Sequence, residues 1–337
     1  MTVTPQKAFL HAFSILALLP EGGAGAQPPV AQDSVLARLH AADVMVEAVG
    51  FRLATTNAAL CRPAGWDPGF AIHTLEQYQA DYRIEAAFSF RLNRWPTVMS
   101  VAPGSPAAEA GLGEGDALVA VAGKPLPEIG RTTAAADFTR TAAAQHAIDA
   151  AFASGAATLT VLRAAQRIDI RVQAAPACRS IFQVVPEKAM NGAADGDYVQ
   201  VSATLVALAQ TPDELAGVLA HELAHNILHH RERLDALHVT RGLLAPFGRN
   251  ARLIRETEIE ADRLSLYLVA RAGYSVPAAL AFWVRLARAK GGIALDPTHP
   301  QWHERIDALQ HEAARIAAGT PTDPTLPSEL TSALARR

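Results

Sequence analysis

The stretch VLAHELAHNILHH, Val218–His230, constrains this chain more than any other. It carries four of the 12 histidines in the sequence and one acid, Glu222. The residues before it fix its backbone. Thr211 fits a helix N-cap, Pro212 the first helical position, and Glu214 completes a capping box. Leu215, Val218, Leu219 and Ile227 supply an apolar stripe at helical spacing. The spacing therefore predicts a helix that runs through the histidines.

On such a helix His221 and His225 are i and i+4, so both imidazoles face one side. That separation suits two ligands of one tetrahedral metal. Glu222 is rotated by about 100°, to the rim, where it reaches water rather than the metal. Two ligands and one general base are the logic of HExxH. A catalytic zinc takes three protein ligands, so the pattern demands a third. RETEIEADRLSLYLVARAG, Arg255–Gly273, is the candidate source. It is helical by periodicity and ends on Gly273 as a C-cap. Glu258 and Asp262 share a face: Glu258 suits the metal, and Asp262 suits the outer nitrogen of a ligating histidine. Taken alone, the same acids read more readily as a solvated face paired with Arg255 or Arg263.

The chain has 337 residues, half of them hydrophobic, which allows two or three compact units and excludes wholesale disorder. The net charge is −3 and no long basic run occurs, so a nucleic-acid partner has no electrostatic support. Lys7, the apolar AFLHAFSILALLP (Ala8–Pro20) and the small-residue AGA (Ala24–Ala26) read as a cleavable export signal over residues 1–26. An N-terminal membrane anchor is the alternative. No other stretch approaches 18 uninterrupted apolar residues, so the mature chain is expected to have no transmembrane span and to be periplasmic or secreted. Two cysteines, Cys61 and Cys178, suggest a disulfide in an exported chain; two unrelated buried thiols are the alternative.

WPTVMSVAPGSPAAEAGLGEGDALVAVAGKPL, Trp95–Leu126, resembles the core of a bacterial PDZ domain. The matching residues are Ser105, Pro106, Ala107, Ala110, Gly111, Leu112, Gly115, Asp116 and Leu118. Ala157–Gln173 resembles the closing strand pair, with Ala165 where glycine is common. The resemblance implies a C-terminal peptide as ligand, its carboxylate loop near Tyr82–Phe90.

HELAH followed by EIEAD, Glu258–Asp262, resembles the gluzincin metallopeptidases of the CAAX-prenyl-protease and HtpX type, and more closely their soluble periplasmic, BepA-like members. The resemblance covers about Cys178 to Gly319. It implies Zn²⁺ held by His221, His225 and Glu258, with Glu222 as general base. THPQWHERI, Thr298–Ile306, resembles a segment whose histidine, here His299, lies over the active site near the zinc or the oxyanion. RAGYSVPAALAFWVRLA, Arg271–Ala287, fits the helix-turn-helix between these motifs. Ser265 stands where glycine is frequent, and NGAADGDYVQ, Asn191–Gln200, departs from the family's stretch. His229 and His230 read as surface residues beyond the site, and Arg305 as either a salt-bridge partner near it or an exposed side chain.

The expected fold is α+β: a helical zincin-type domain with a small sheet, and a β-rich PDZ-like domain. The boundaries read 1–26 signal, 27–82 N-terminal helical segment, 83–175 PDZ-like domain, 176–319 metallopeptidase domain and 320–337 tail. Because such catalytic domains begin with a helix, the helix from Asp33 is expected to belong to the peptidase unit, with the PDZ unit inserted behind it. A Cys61–Cys178 disulfide would then close the insertion's ends. The expected function is an exported zinc metalloendopeptidase acting on envelope proteins or peptides. A chaperone-like client-binding factor with a rarely active metal site is the alternative.

Overall fold

The computed structural model describes residues 34–61, 64–128, 130, 133–239, 248–291, 301–319 and 324–335. The expected signal segment and His299 lie outside the described residues. Among them, no helix is long and apolar enough to cross a membrane.

Helix α1 (Val35–Thr56) starts where the Ala37 amide donates to the Ser34 hydroxyl, an N-cap that satisfies one orphan donor. The chain then passes through β1 (Gly65–Asp67) into a sheet unit. That unit comprises β2 (Phe70–His73), α2 (Arg83–Ser89), β3 (Thr97–Val101), α3 (Pro106–Glu109), β4 (Ala117–Val121), β5 (Lys124–Pro125), α4 (Thr139–Ala151), β6 (Ala156–Arg163) and β7 (Gln166–Gln173). The strands lie in the order β2-β3-β4-β6-β7, with β5 on β4, and every pairing is antiparallel. Ala107 of α3 and Ala144 and Ile148 of α4 join Val98, Leu118, Leu159 and Val172 in a core of their own.

Two expectations are corrected here. Tyr82–Phe90, where the sequence places a carboxylate loop, is mostly the helix α2, and the first strand of the sheet is β2, ahead of residue 83. The cause is β2's brevity: four residues between Pro68-Gly69 and Thr74 show no readable alternation.

The chain leaves the sheet unit beside its point of entry. β8 (Ala175–Ala177) pairs antiparallel with β1. Cys61 and Cys178 are disulfide-bonded, with Cα atoms 5.4 Å apart. Beyond them come β9 (Ile181–Val185), β10 (Gly192–Ala194) and β11 (Tyr198–Ser202), then α5 (Ala203–Leu208), α6 (Pro212–Ile227), α7 (His230–Ala236), α8 (Gly248–Arg271), α9 (Val276–Ala289), α10 (Trp302–Ala318) and α11 (Ser328–Ala335). The small sheet has the order β10-β11-β9, with β10 antiparallel at one edge.

Helix α6 is the axis of this second unit. Leu215, Leu219 and Leu223 are fully buried, each contributing about 1.5–3 kcal/mol of apolar transfer. Gly217 lets α9 approach closely, since a β-carbon there would stand 2.9 Å from that of Ala279. The expected capping box is half formed. Thr211 accepts from the Glu214 amide, but the Glu214 carboxylate accepts from Gln210 and pairs with Arg285 of α9 instead. Val46, Val49, Leu53 and Ala54 of α1 lie in the same core as α6 and α8. The buried Asn57 side chain ties α1 to α8, donating to the Leu53 and Leu268 carbonyls at 2.9 and 3.2 Å. The N-terminal helix and the residues after Cys178 thus share one core, and the sheet between them has another.

Candidate metal centre

Helices α6 and α8 bring three donor side chains to one point. His221 Nε2 and His225 Nε2 are 3.2 Å apart. Glu258 places Oε2 3.3 Å from His221 Nε2 and Oε1 3.5 Å from His225 Nε2. Tetrahedral ligands about 2.0–2.1 Å from a zinc ion stand about 3.3–3.4 Å from one another. Taking one ligand atom from each residue, all three lie within 4.8 Å of one another, close enough for one ion to gather, and two imidazoles with one carboxylate are a borderline donor set that zinc accepts.

Behind His221 stands a sealed support. Its Nδ1 is 2.9 Å from Asp262 Oδ1. Arg305 clamps the same carboxylate through Nε at 2.7 Å and Nη2 at 2.6 Å. The guanidinium lies over the rings of Trp283 and Trp302, at 4.1 and 5.3 Å from their centroids. Arg305 is only 6% exposed, which settles the alternative that the sequence left open. Burial works against the Asp262 carboxylate, but the Arg305 and His221 charges outweigh it, and the pKa falls below the ordinary carboxylate value.

Behind His225 stands a different support. Its Nδ1 is 2.9 Å from Nδ1 of His230. His230 Nε2 lies 3.1 Å from Glu260 Oε2, which also accepts from Arg233 at 2.6 Å. This corrects the reading of His230 as a surface residue: it is 2% exposed. The reason is a break in the helix. His229 adopts a left-handed φ of 51°, α6 ends at Ile227, and α7 turns His230 back over His225. His229 itself stays at the surface, paired with Glu232.

Glu222 is buried beside the donors, against the edge strand β10. A β-carbon at Gly192 would collide with its carboxylate, so glycine is what leaves that carboxylate its place. Burial pushes the Glu222 pKa up to about 7, with the His221 charge opposing and the Glu258 charge adding. With their protein neighbours alone, the two histidines diverge. Burial holds His225 down at about 3. Burial also works against the charged form of His221, but hydrogen bonds to Asp262 and Glu258 carry it up to about 10. A cation that takes the His221 Nε2 lone pair must displace a proton.

With this geometry in view, likeness to known proteins becomes specific. Residues 181–246 and 234–313 match the model of Peptidase family M48, and residues 97–148 match the PDZ domain model. The chain carries an M48 peptidase domain and a PDZ domain. The mitochondrial metalloendopeptidase OMA1 of Schizosaccharomyces pombe is 28% identical over 143 residues, which cover 34% of this chain and 41% of that protein. The chain thus spans about two-fifths of that relative's length. M48 is a gluzincin family, in agreement with the resemblance that HELAH and EIEAD carry.

The structure brings His221, His225, Glu258 and Asp262 together, with Glu222 buried beside them. Sequence reasoning missed His230, Glu260 and Trp283. Residues five apart on a continuous helix diverge by about 140°, so His230 reaches His225 only through a break that nothing in NILHHRER announces.

Proposed function

We propose that this chain is an exported zinc metalloendopeptidase that cleaves protein or peptide substrates, its PDZ domain binding a C-terminal peptide of a substrate or partner. The observation that carries the reading is the triangle of His221, His225 and Glu258 donors with the buried carboxylate of Glu222 beside it. The Cys61–Cys178 disulfide supports an oxidising compartment.

His221, His225 and Glu258 would hold the ion, which when bound would supply a Lewis acid for the scissile carbonyl and the attacking water. Glu222, buried beside the donors, takes the proton from that water and delivers it to the leaving amine. Among the described residues β10 pairs with β11 on one side only, so an extended substrate laid along its other edge passes over Gly192 and Glu222. His299 is assigned to stabilising the oxyanion. Arg305 and Asp262 fix the His221 ring through its Nδ1, which would leave its Nε2 free for the ion.

The test is metal analysis of the mature protein together with hydrolysis of unfolded casein. Wild type should carry one zinc per chain and cleave. Glu222→Gln should keep the zinc and lose about 10²–10⁴ in turnover. Near-wild-type cleavage by that variant would sink the mechanism. A zinc-loaded wild type that cleaves nothing would favour client binding without hydrolysis.

A further inference from the structure

His230 and Glu260 form a second buried polar group beside the metal centre that the proposed mechanism leaves unused. We propose that His230, backed by Glu260, is the positioning residue for His225: it accepts the outer N–H of that ring and so fixes the tautomer and orientation that metal binding requires. The inference rests on the assignment of His221, His225 and Glu258 as ligands.

The proton positions follow from one another. A neutral His225 that gives its Nε2 lone pair to a cation carries its proton on Nδ1. Only one acceptor meets that N–H in the described structure, His230 Nδ1 at 2.9 Å, with the two rings nearly perpendicular at 80°. His230 then has its own proton on Nε2, aimed at Glu260 Oε2 3.1 Å away. Glu260 is held in turn by Arg233. Each atom in this chain thus has one role, and reversing any of them would turn an N–H of His225 toward the ion. The topology explains why a histidine is needed. Glu258 and Glu260 both sit on α8, but two residues apart, about 200° around the helix. Glu260 therefore stands off the ligand face, and the imidazole of His230 spans the gap to His225. The left-handed turn at His229 exists to deliver that ring.

Metal-bound histidines that lose an outer partner bind their metal about 10–100-fold more weakly. The experiment is zinc affinity, measured on the full chain by competition with a chromophoric chelator, for wild type, Glu258→Ala, His230→Phe, His230→Asn and Glu260→Gln. His230→Phe keeps the volume and removes the acceptor, so it should lose affinity by about that factor. Asparagine places a carboxamide oxygen where Nδ1 stands, so His230→Asn should fall closer to wild type than to His230→Phe. Glu260→Gln should lie between. In the Co²⁺-loaded protein, the visible bands should shift in His230→Phe and return in His230→Asn. Wild-type affinity in His230→Phe, or equal loss in the Phe and Asn variants, would overturn the role of His230. A wild type that takes up no zinc, or a Glu258→Ala variant that binds as tightly as wild type, would instead overturn the ligand assignment. If circular dichroism shows His230→Phe unfolded, His230→Asn and Glu260→Gln decide the matter. Wild-type affinity in Glu260→Gln overturns the backing role, and loss of affinity without loss of fold sustains it.

Discussion

His221 and His225 stand one turn apart on the same helix, face the same point and are held in opposite ways. Behind His221 a fixed ion pair, Asp262 with Arg305, is shut between two tryptophan rings, and both side chains are 6% exposed. Behind His225 a neutral imidazole leads outward to Glu260 and Arg233, whose side chains are 21% and 25% exposed. A buried charge depends wholly on its partner, whereas water screens and partly replaces a partner at the rim. One histidine is thus anchored by an interaction that cannot be weakened gradually, the other by one that can.

The largest effect is expected from Arg305→Ala. It leaves the Asp262 carboxylate buried without its cation, and urea unfolding should show a loss of about 3–5 kcal/mol. A loss no larger than that of a surface pair would mean the inner support is wet. Second, Asp262→Ala should weaken zinc about 10–100-fold in chelator competition, and Glu258→Ala should be worse because it removes a ligand. If the two rank the other way, their roles are exchanged. Adding Arg305→Met to Asp262→Ala should restore part of the stability without restoring the zinc.

A third prediction extends the comparison to a buried acid with no such clamp. Glu47 on α1 is pushed up to about 8 by burial, with the Asp67 and Asp43 charges adding, whereas Asp262 is held low. The signs are opposite. Asp262 contributes stability above its unfolded value that is lost as pH falls. Glu47 contributes stability that is full below about 4.5 and is lost as pH rises toward about 8. The difference in stability between wild type and Glu47→Gln should change across that window by on the order of 2 kcal/mol, after relaxation around the charged form. A constant difference from pH 4.5 to 8 would show that Glu47 ionises freely. The smallest effect belongs to the rim. Arg233→Ala should cost at most about 1 kcal/mol, and added salt should shrink that cost, because both partners of its pair touch solvent.

What the sequence made legible follows the range over which each signal acts. His221 with His225 is a four-residue spacing on a helix marked by Thr211-Pro212, so that half of the inner site could be read locally; Glu258 with Asp262 has the same spacing on a helix ending at Gly273, but only the family resemblance told it from a solvated face. The glycines and Ser105-Pro106 likewise marked the turns of the PDZ sheet. Three things were hidden for physical reasons. His230 depends on a left-handed residue that is not glycine or asparagine, so composition gave no warning of the break. Glu260 points off the face that its neighbours define, and its meaning lies in a histidine on another helix. The strand β2 is too short for alternation to rise above chance, which moved the expected start of the sheet. Arg305 lies 43 residues from Asp262, and only the packing of α10 on α8 and α9 decides between solvent and site.

The Cys61–Cys178 bond has a consequence for how such a chain can be edited. The sheet unit enters and leaves through two points 5.4 Å apart, a gap that a tight turn spans. Covalently, the excursion between two cysteines 117 positions apart in sequence is closed by a single bond. A module hung on so narrow a covalent neck can be exchanged for another that covers the face of α1 where Leu36 and His40 now meet Phe90 and Glu114, while α1 keeps its place against α6. Recognition and cleavage can then change independently, by splicing at one spot rather than by redesign of the metal centre.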